Sequence, residues 1–144
     1  MDDARRLIGM DNGLATVSTI RVTGSIQVTV VHAGVVIHPV NGAEVGAFVA
    51  RGGTYKLRNL RADPKATLLW RAGWAWVAVE GTAELCGPDD PLTGLDADAV
   101  RRLLREITRA AGIEEEDWDE YDRMASTERR TAVLVTPLRV YQNP

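Results

Sequence analysis

Ile26-Gln27-Val28-Thr29-Val30 alternates apolar and polar residues one by one, the period of two that marks a β-strand with one buried face. Turn chemistry flanks it. Thr23-Gly24-Ser25 comes before and Ala33-Gly34 after, so Val35-Val36-Ile37 reads as a separate strand. Asn41-Gly42 is a strong hairpin signal, and Glu44 to Ala50 supplies the next strand. Upstream, Leu14 to Arg21 is rich in β-branched residues. It follows a short helix that Asp2 or Asp3 caps and that runs to about Met10.

Downstream, Arg51-Gly52-Gly53 breaks the pattern. Thr54 caps a short helix through Arg61 with Leu57 and Leu60 on one face, and Asp63-Pro64 stops it. Ala66 to Arg71 and Trp74 to about Leu85 follow as strands around Ala72-Gly73. In the longer one, Val77, Val79, Ala83 and Leu85 share one face, and Trp76, Glu80, Thr82 and Glu84 the other. Asp96 caps a helix in which Val100, Leu103, Leu104 and Ile107 keep helical spacing, and Gly112 ends it. Glu114 to Ser126 reads as a second, acidic helix. The closing strand, Thr131 to Tyr141, is apolar on both faces and is expected to be central. About seven strands, mostly hairpin-linked, with helices in the gaps, predict a mainly β (α+β) fold: an antiparallel barrel or sandwich with peripheral helices. The 144 residues are the length of one domain, expected to span 1–144.

A net charge of −3 argues against a general nucleic-acid binder. The distribution says more. Arg51, Lys56, Arg58, Arg61, Lys65 and Arg71 fall together with one acid, Asp63, whereas Glu80 to Glu128 holds fifteen acids and five bases. Such a basic segment in an acidic chain can concentrate an anionic ligand; a solvated helix face is the plainer reading. No apolar run approaches the ~20 residues that span a bilayer. The first residues lack the apolar stretch of a secretion signal. Cys86 has no partner thiol, which fits a reducing, cytoplasmic setting.

Few residues invite catalysis or metal binding. There is no Gly-x-Ser-x-Gly elbow, Walker loop, Gly-x-Gly-x-x-Gly or His-Glu-x-x-His. His32 and His38 are the only histidines, and no orienting group is nominated for either, so both are read as structural or exposed. Glu114-Glu115-Glu116-Asp117 lacks the spacing of a calcium loop. No metal site and no catalytic acid is assigned, and Cys86 is read as a passive small residue. One candidate anion cradle stands out, Arg51-Gly52-Gly53-Thr54-Tyr55-Lys56-Leu57-Arg58-Asn59. Its glycines let backbone approach a ligand, and the helix start presents free N–H groups. Lys56 and Arg58 add charged donors suited to phosphate or carboxylate. Trp74 and Trp76 could stack on a planar ring or serve packing.

The stretch Tyr55-Lys56-Leu57-Arg58-Asn59-Leu60-Arg61-Ala62-Asp63-Pro64 resembles the Lys-x-Arg-Asn-Leu-x-x-Asp-Pro motif of the actinobacterial flavin/deazaflavin oxidoreductases. These are relatives of pyridoxamine 5′-phosphate oxidase built on an FMN-binding split barrel. Gly73-Trp74-Ala75-Trp76 leading to Glu80-Gly81-Thr82, Asp117-Trp118-Asp119-Glu120-Tyr121 before Thr127-Glu128-Arg129-Arg130, and Thr136-Pro137-Leu138-Arg139-Val140-Tyr141 follow in family-like order. The resemblance covers Leu14 to Tyr141. It implies an antiparallel split β-barrel, a homodimer with two cofactor sites between subunits, and coenzyme F420 as cofactor, with FMN as the alternative. It implies that Lys56, Arg58 and Asn59, with Thr54 and Tyr55 beside them, hold the cofactor's phosphate and acidic tail. Trp74 is implied to lie close to the cofactor, and Ser18, Thr19 and Gln27 to line its ring and phosphate. The expected activity is hydride transfer between reduced deazaflavin and a small planar or conjugated acceptor. An FMN-dependent oxidoreductase, or a carrier of F420 or a tetrapyrrole without turnover, are the competing functions. The basic groups that pyridoxamine phosphate oxidases use for their own substrate are not evident, so that activity is not expected.

Overall fold

The computed structural model describes residues 1–143 and is a closed six-stranded antiparallel barrel with four helices. In chain order the elements are α1 (Asp2–Ile8), β1 (Leu14–Ile20), β2 (Ile26–Ile37), β3 (Glu44–Ala50), α2 (Tyr55–Ala62), β4 (Lys65–Ala72), β5 (Ala75–Cys86), α3 (Ala97–Ala110), α4 (Trp118–Thr127) and β6 (Thr131–Gln142). The strands go round in the order β1-β2-β3-β6-β5-β4, and β4 pairs with β1 to close the ring. The mainly β, split-barrel expectation is met.

Two differences from the sequence reading have clear causes. Ala33-Gly34 is not a turn: β2 runs straight through it, with Ala33 opposite Phe48 and Gly34 opposite Ala47, giving six strands rather than seven. Gly34 is a site of close approach, because a Cβ there would lie 2.5 Å from the backbone of Ala110 at the end of α3. The second acidic helix starts at Trp118, not Glu114, because the Asp117 side chain accepts from the Glu120 N–H at 3.0 Å and fixes the start there.

Alternation divides the apolar residues between two cores. Val17, Val31, Phe48, Leu68, Trp70, Val77, Val79, Val133 and Val135 point into the barrel, which α2 closes with Leu57 and Leu60, and α1 with Leu7 and Ile8. Trp70 is fully buried and donates from Nε1 to the Ala33 carbonyl at 3.0 Å. On the outside of β3 and β6, Val45, Ala47, Ala132 and Leu134 pack against Leu103, Leu104 and Ile107 of α3 and Tyr121 of α4. The closing strand is therefore covered on both faces from Thr131 to Val135 only. Past the β5–β6 register shift at Glu80/Gly81, Leu138 is 78% exposed.

The opposite wall of the barrel carries no helix. Ile26, Val28 and Val30 of β2 are 66%, 57% and 67% exposed there, an apolar stripe open to solvent. Among the described residues, no helix is long and apolar enough to cross a membrane.

Candidate functional site

Asn59 organises the end of the barrel that α2 closes. It is buried, and its Nδ2 donates to Thr19 Oγ1 at 3.0 Å and to Gln27 Oε1 at 2.8 Å. Thr19 and Gln27 face each other across the β1–β2 ladder. The structure thus brings together three residues nominated from the sequence. It also commits both N–H groups of the Asn59 amide to the chain itself, which makes Asn59 a positioning residue.

The loop before α2 leaves polar groups unspent. Thr54 is the N-cap of α2, yet its hydroxyl makes no capping bond and Oγ1 is buried without a partner. Thr29 Oγ1 on β2 is likewise buried and unpartnered. Thr29 shares its strand face with Gln27, two residues away, whose side chain meets Asn59 of α2. Buried hydroxyls without partners are uncommon and ask for a ligand or water. Lys56 is half-buried, and burial pushes its ammonium below the ordinary lysine value. Among the described residues it has neither a carboxylate partner nor a hydrogen bond. Arg58 is exposed, also without a carboxylate, and its guanidinium stands 5.5 Å over the exposed Tyr55 ring.

The neighbouring arginines have carboxylate partners. Arg51 pairs with Glu128 at 3.3 Å, and Arg130 pairs with the same carboxylate at 2.9 Å. Together they hold Glu128 below the usual carboxylate range, Arg130 having the larger effect. Arg61 binds Asp90 through two hydrogen bonds of 2.9 and 2.6 Å. Gly52 admits no side chain because Arg129 lies against it, and Gly53 has φ +80. Arg129 stands in the sequence only within a family-like segment, with nothing to single it out as a site residue: it reaches the cradle by packing against Gly52 and Gly53 rather than by local spacing.

A cavity of about 460 Å³ opens beside Arg51, between the β2–β3 wall and helices α3 and α4. Val49, Ile107, Ile113 and Met124 give it apolar walls, and Arg51 and Glu120 are among its charged groups. Tyr121 and Thr108 line it as a hydrogen-bonded pair, hydroxyl to hydroxyl at 2.7 Å. Ser18 faces a different hollow of about 330 Å³ on the helix-free wall, with Thr67, Glu80 and Arg139.

Within one chain Trp74 is not part of this cluster. It lies just before β5, 91% exposed, at the end of β4 away from α2, about 25 Å along the strand. Asn143 pins the backbone on either side, donating to the Trp74 carbonyl and accepting from the Trp76 N–H, both at 3.0 Å. The histidines have structural partners. The buried His38 accepts the Val40 N–H at Nδ1 and so donates from Nε2 to Glu84 at 3.0 Å, and His32 meets the Asn12 carbonyl at 3.0 Å. Among the described residues, no three His, Cys, Asp or Glu side chains gather as a metal site.

Comparison with known proteins adds the following. The family model described as pyridoxamine 5′-phosphate oxidase matches residues 2–143. An F420 reductase structure superposes with a TM-score of 0.61 at 16% identity, covering 95% of this chain and 94% of that one. A pyridoxamine 5′-phosphate oxidase-related, FMN-binding protein from Nostoc punctiforme gives 0.62 at 12% identity, covering 98% and 80%. A haem-binding protein from Mycobacterium smegmatis gives 0.64 at 16% identity; the match covers 98% of this chain and 52% of that longer protein.

Proposed function

Because the chain belongs to the pyridoxamine 5′-phosphate oxidase family, we propose that it is an oxidoreductase that holds a flavin-type redox cofactor at the α2 end of the barrel, with coenzyme F420 first and FMN second. The observation that carries this reading is Lys56, a half-buried ammonium with no carboxylate in the first turn of a helix whose N-cap residue, Thr54, has a buried hydroxyl without a partner. A buried cation and idle donors are costly unless an anion completes them. The residues present therefore fit the phosphate of such a cofactor.

Lys56 and Arg58 bind the anionic end, and Thr54 and Thr29 donate their hydroxyl protons to its oxygens. Asn59 fixes Thr19 and Gln27, so the floor of the site is rigid before a ligand arrives. Tyr55 shields the Arg58 guanidinium on one side. The hollow on the helix-free wall, lined by Ser18 and Thr19, receives the planar ring and the acceptor. When bound, the deazaflavin supplies hydride chemistry to a small conjugated acceptor; the protein contributes orientation and exclusion of water.

The site is completed by a second copy of the chain. The open stripe of Ile26, Val28 and Val30 is the kind of exposed apolar patch that marks an interface. Trp74, too far from the cluster in its own subunit, is free to serve the partner's.

Titration of the purified apo-protein with F420, FMN and haem, followed by fluorescence and absorbance, tests the reading. Tight F420 binding without FMN binding supports it. Haem binding alone sinks it in favour of a tetrapyrrole carrier. Reduced F420 that stays unoxidised across a broad acceptor panel leaves a carrier rather than an enzyme.

A further inference from the structure

Arg129 joins the cradle from a distant part of the chain. It adopts φ +50 in the turn between α4 and β6, which brings its Cβ to 2.8 Å from the position a Cβ on Gly52 would take. Its guanidinium lies 3.7 Å from the corresponding position on Gly53. A cation therefore rests against the glycine pair, and it is already occupied: Nη1 lies 3.0 Å from Asp89 Oδ2.

Asp89 is held there by a tight turn in which Gly87 and Asp90 exchange backbone hydrogen bonds of 3.0 and 3.1 Å. The next residue, Asp90, anchors that turn to α2 through its two bonds to Arg61. The two pairs are unequal. The Asp90 side chain is 18% exposed and doubly bonded, whereas that of Asp89 is 38% exposed and makes a single ion pair. Single, part-exposed ion pairs are weak and exchangeable.

We propose that Asp89 is a resident counter-ion of the cradle, occupying Arg129 until an anionic ligand takes that guanidinium over, and that it thereby sets how strongly the site discriminates by ligand charge. The inference rests on reading Arg51 to Asn59 as an anion cradle. A ligand with one phosphate meets Lys56 and Arg58 without disturbing Asp89. One further anionic group, such as a carboxylate of an oligoglutamate tail, gains Arg129 by displacing it.

The test is a fluorescence titration of the full chain and of Asp89→Asn, at low and high salt, with FMN and with F420 bearing short and long tails. Asparagine keeps the size of the side chain and removes its charge. The long-tailed ligand is expected to bind D89N about 1.5- to fivefold more tightly than the parent, the range of a part-exposed ion pair, with FMN nearly unchanged. Adding Arg129→Gln abolishes the gain. Equal affinities in the parent and D89N overturn the inference, as does a gain that survives Arg129→Gln. Failure of every ligand to bind either protein removes the cradle itself, and the inference with it.

Discussion

Asn59 donates to Thr19 Oγ1 at 3.0 Å across forty residues of sequence, and this bond ties the helix that closes the barrel to the strand beneath it. Thr19 is 1% exposed, so removing the donor strands a buried hydroxyl. Asn59→Ala is expected to cost about 1–3 kcal/mol. Urea unfolding measures it, and an unchanged midpoint would mean that the bond contributes nothing.

Lys56 couples stability to ligand affinity with opposite signs. Its ammonium is pushed below the ordinary 10.5 by burial, so the unfolded chain holds that proton more tightly. The charged form costs stability at every pH below the folded pKa, and the cost fades as pH rises from there to 10.5. Lys56→Met should therefore stabilise the apo-protein at neutral pH, with the advantage shrinking toward pH 10.5. It should also weaken binding of the phosphate-bearing ligand by about 1.5–3 kcal/mol. Denaturant melts across pH and a ligand titration check the two halves separately.

Asp90 works in the opposite pH range. Its hydrogen bonds to Arg61 hold it below the usual 3.8, so its contribution is complete above that value and is lost as pH falls through the lowered one. Arg61→Met should move the acid-unfolding midpoint to higher pH and leave its neutral-pH fold intact by circular dichroism. Superimposable acid limbs for parent and variant would dismiss the pair as a source of stability.

Gly34 is the seat of α3 on the barrel. A valine there has to displace Ala110 backbone that would stand 2.5 Å from its Cβ. The expected loss is about 1–3 kcal/mol, with increased hydrogen exchange in α3; an undisturbed exchange pattern would show that the helix yields at no cost.

The open β2 stripe is expected to hold the second subunit. Light scattering should give the parent a mass near twice 15.7 kDa, and Val28→Glu, which sits 57% exposed on that wall, the mass of one chain. A monomeric parent would refute the interface.

Much of this was legible locally. The Asn41-Gly42 hairpin and the Asp63-Pro64 stop each depend on a few adjacent residues, and β3 and α2 lie where those residues put them. The alternation around Val28 locates a strand but points to the wrong buried face, since Ile26, Val28 and Val30 are exposed and Gln27 turns inward to Asn59. Gly34 misled because a glycine needed for a turn and one needed for a helix to sit down have the same letter; only Ala110, remote in sequence, tells them apart. The basic segment announced Lys56 and Arg58, whereas Arg129 comes to the cradle through a left-handed turn remote in sequence. Trp74 shows the same limit: its spacing places it beside a strand, and the direction of β4 sends it to the far end of the barrel.

The ring of strands is complete, from β1 round to β4 and back. The ladders do not run its whole length: among the described residues β3 meets β2 only from Ala33 to Ile37, so Ile26 to His32 have no ladder partner on that side, and such an edge can take up another strand. A neighbour can meet this protein there by backbone as well as by the shapes and charges of side chains. Its choice of partner can consequently drift by single substitutions on the naked wall while the architecture beneath stays as it is.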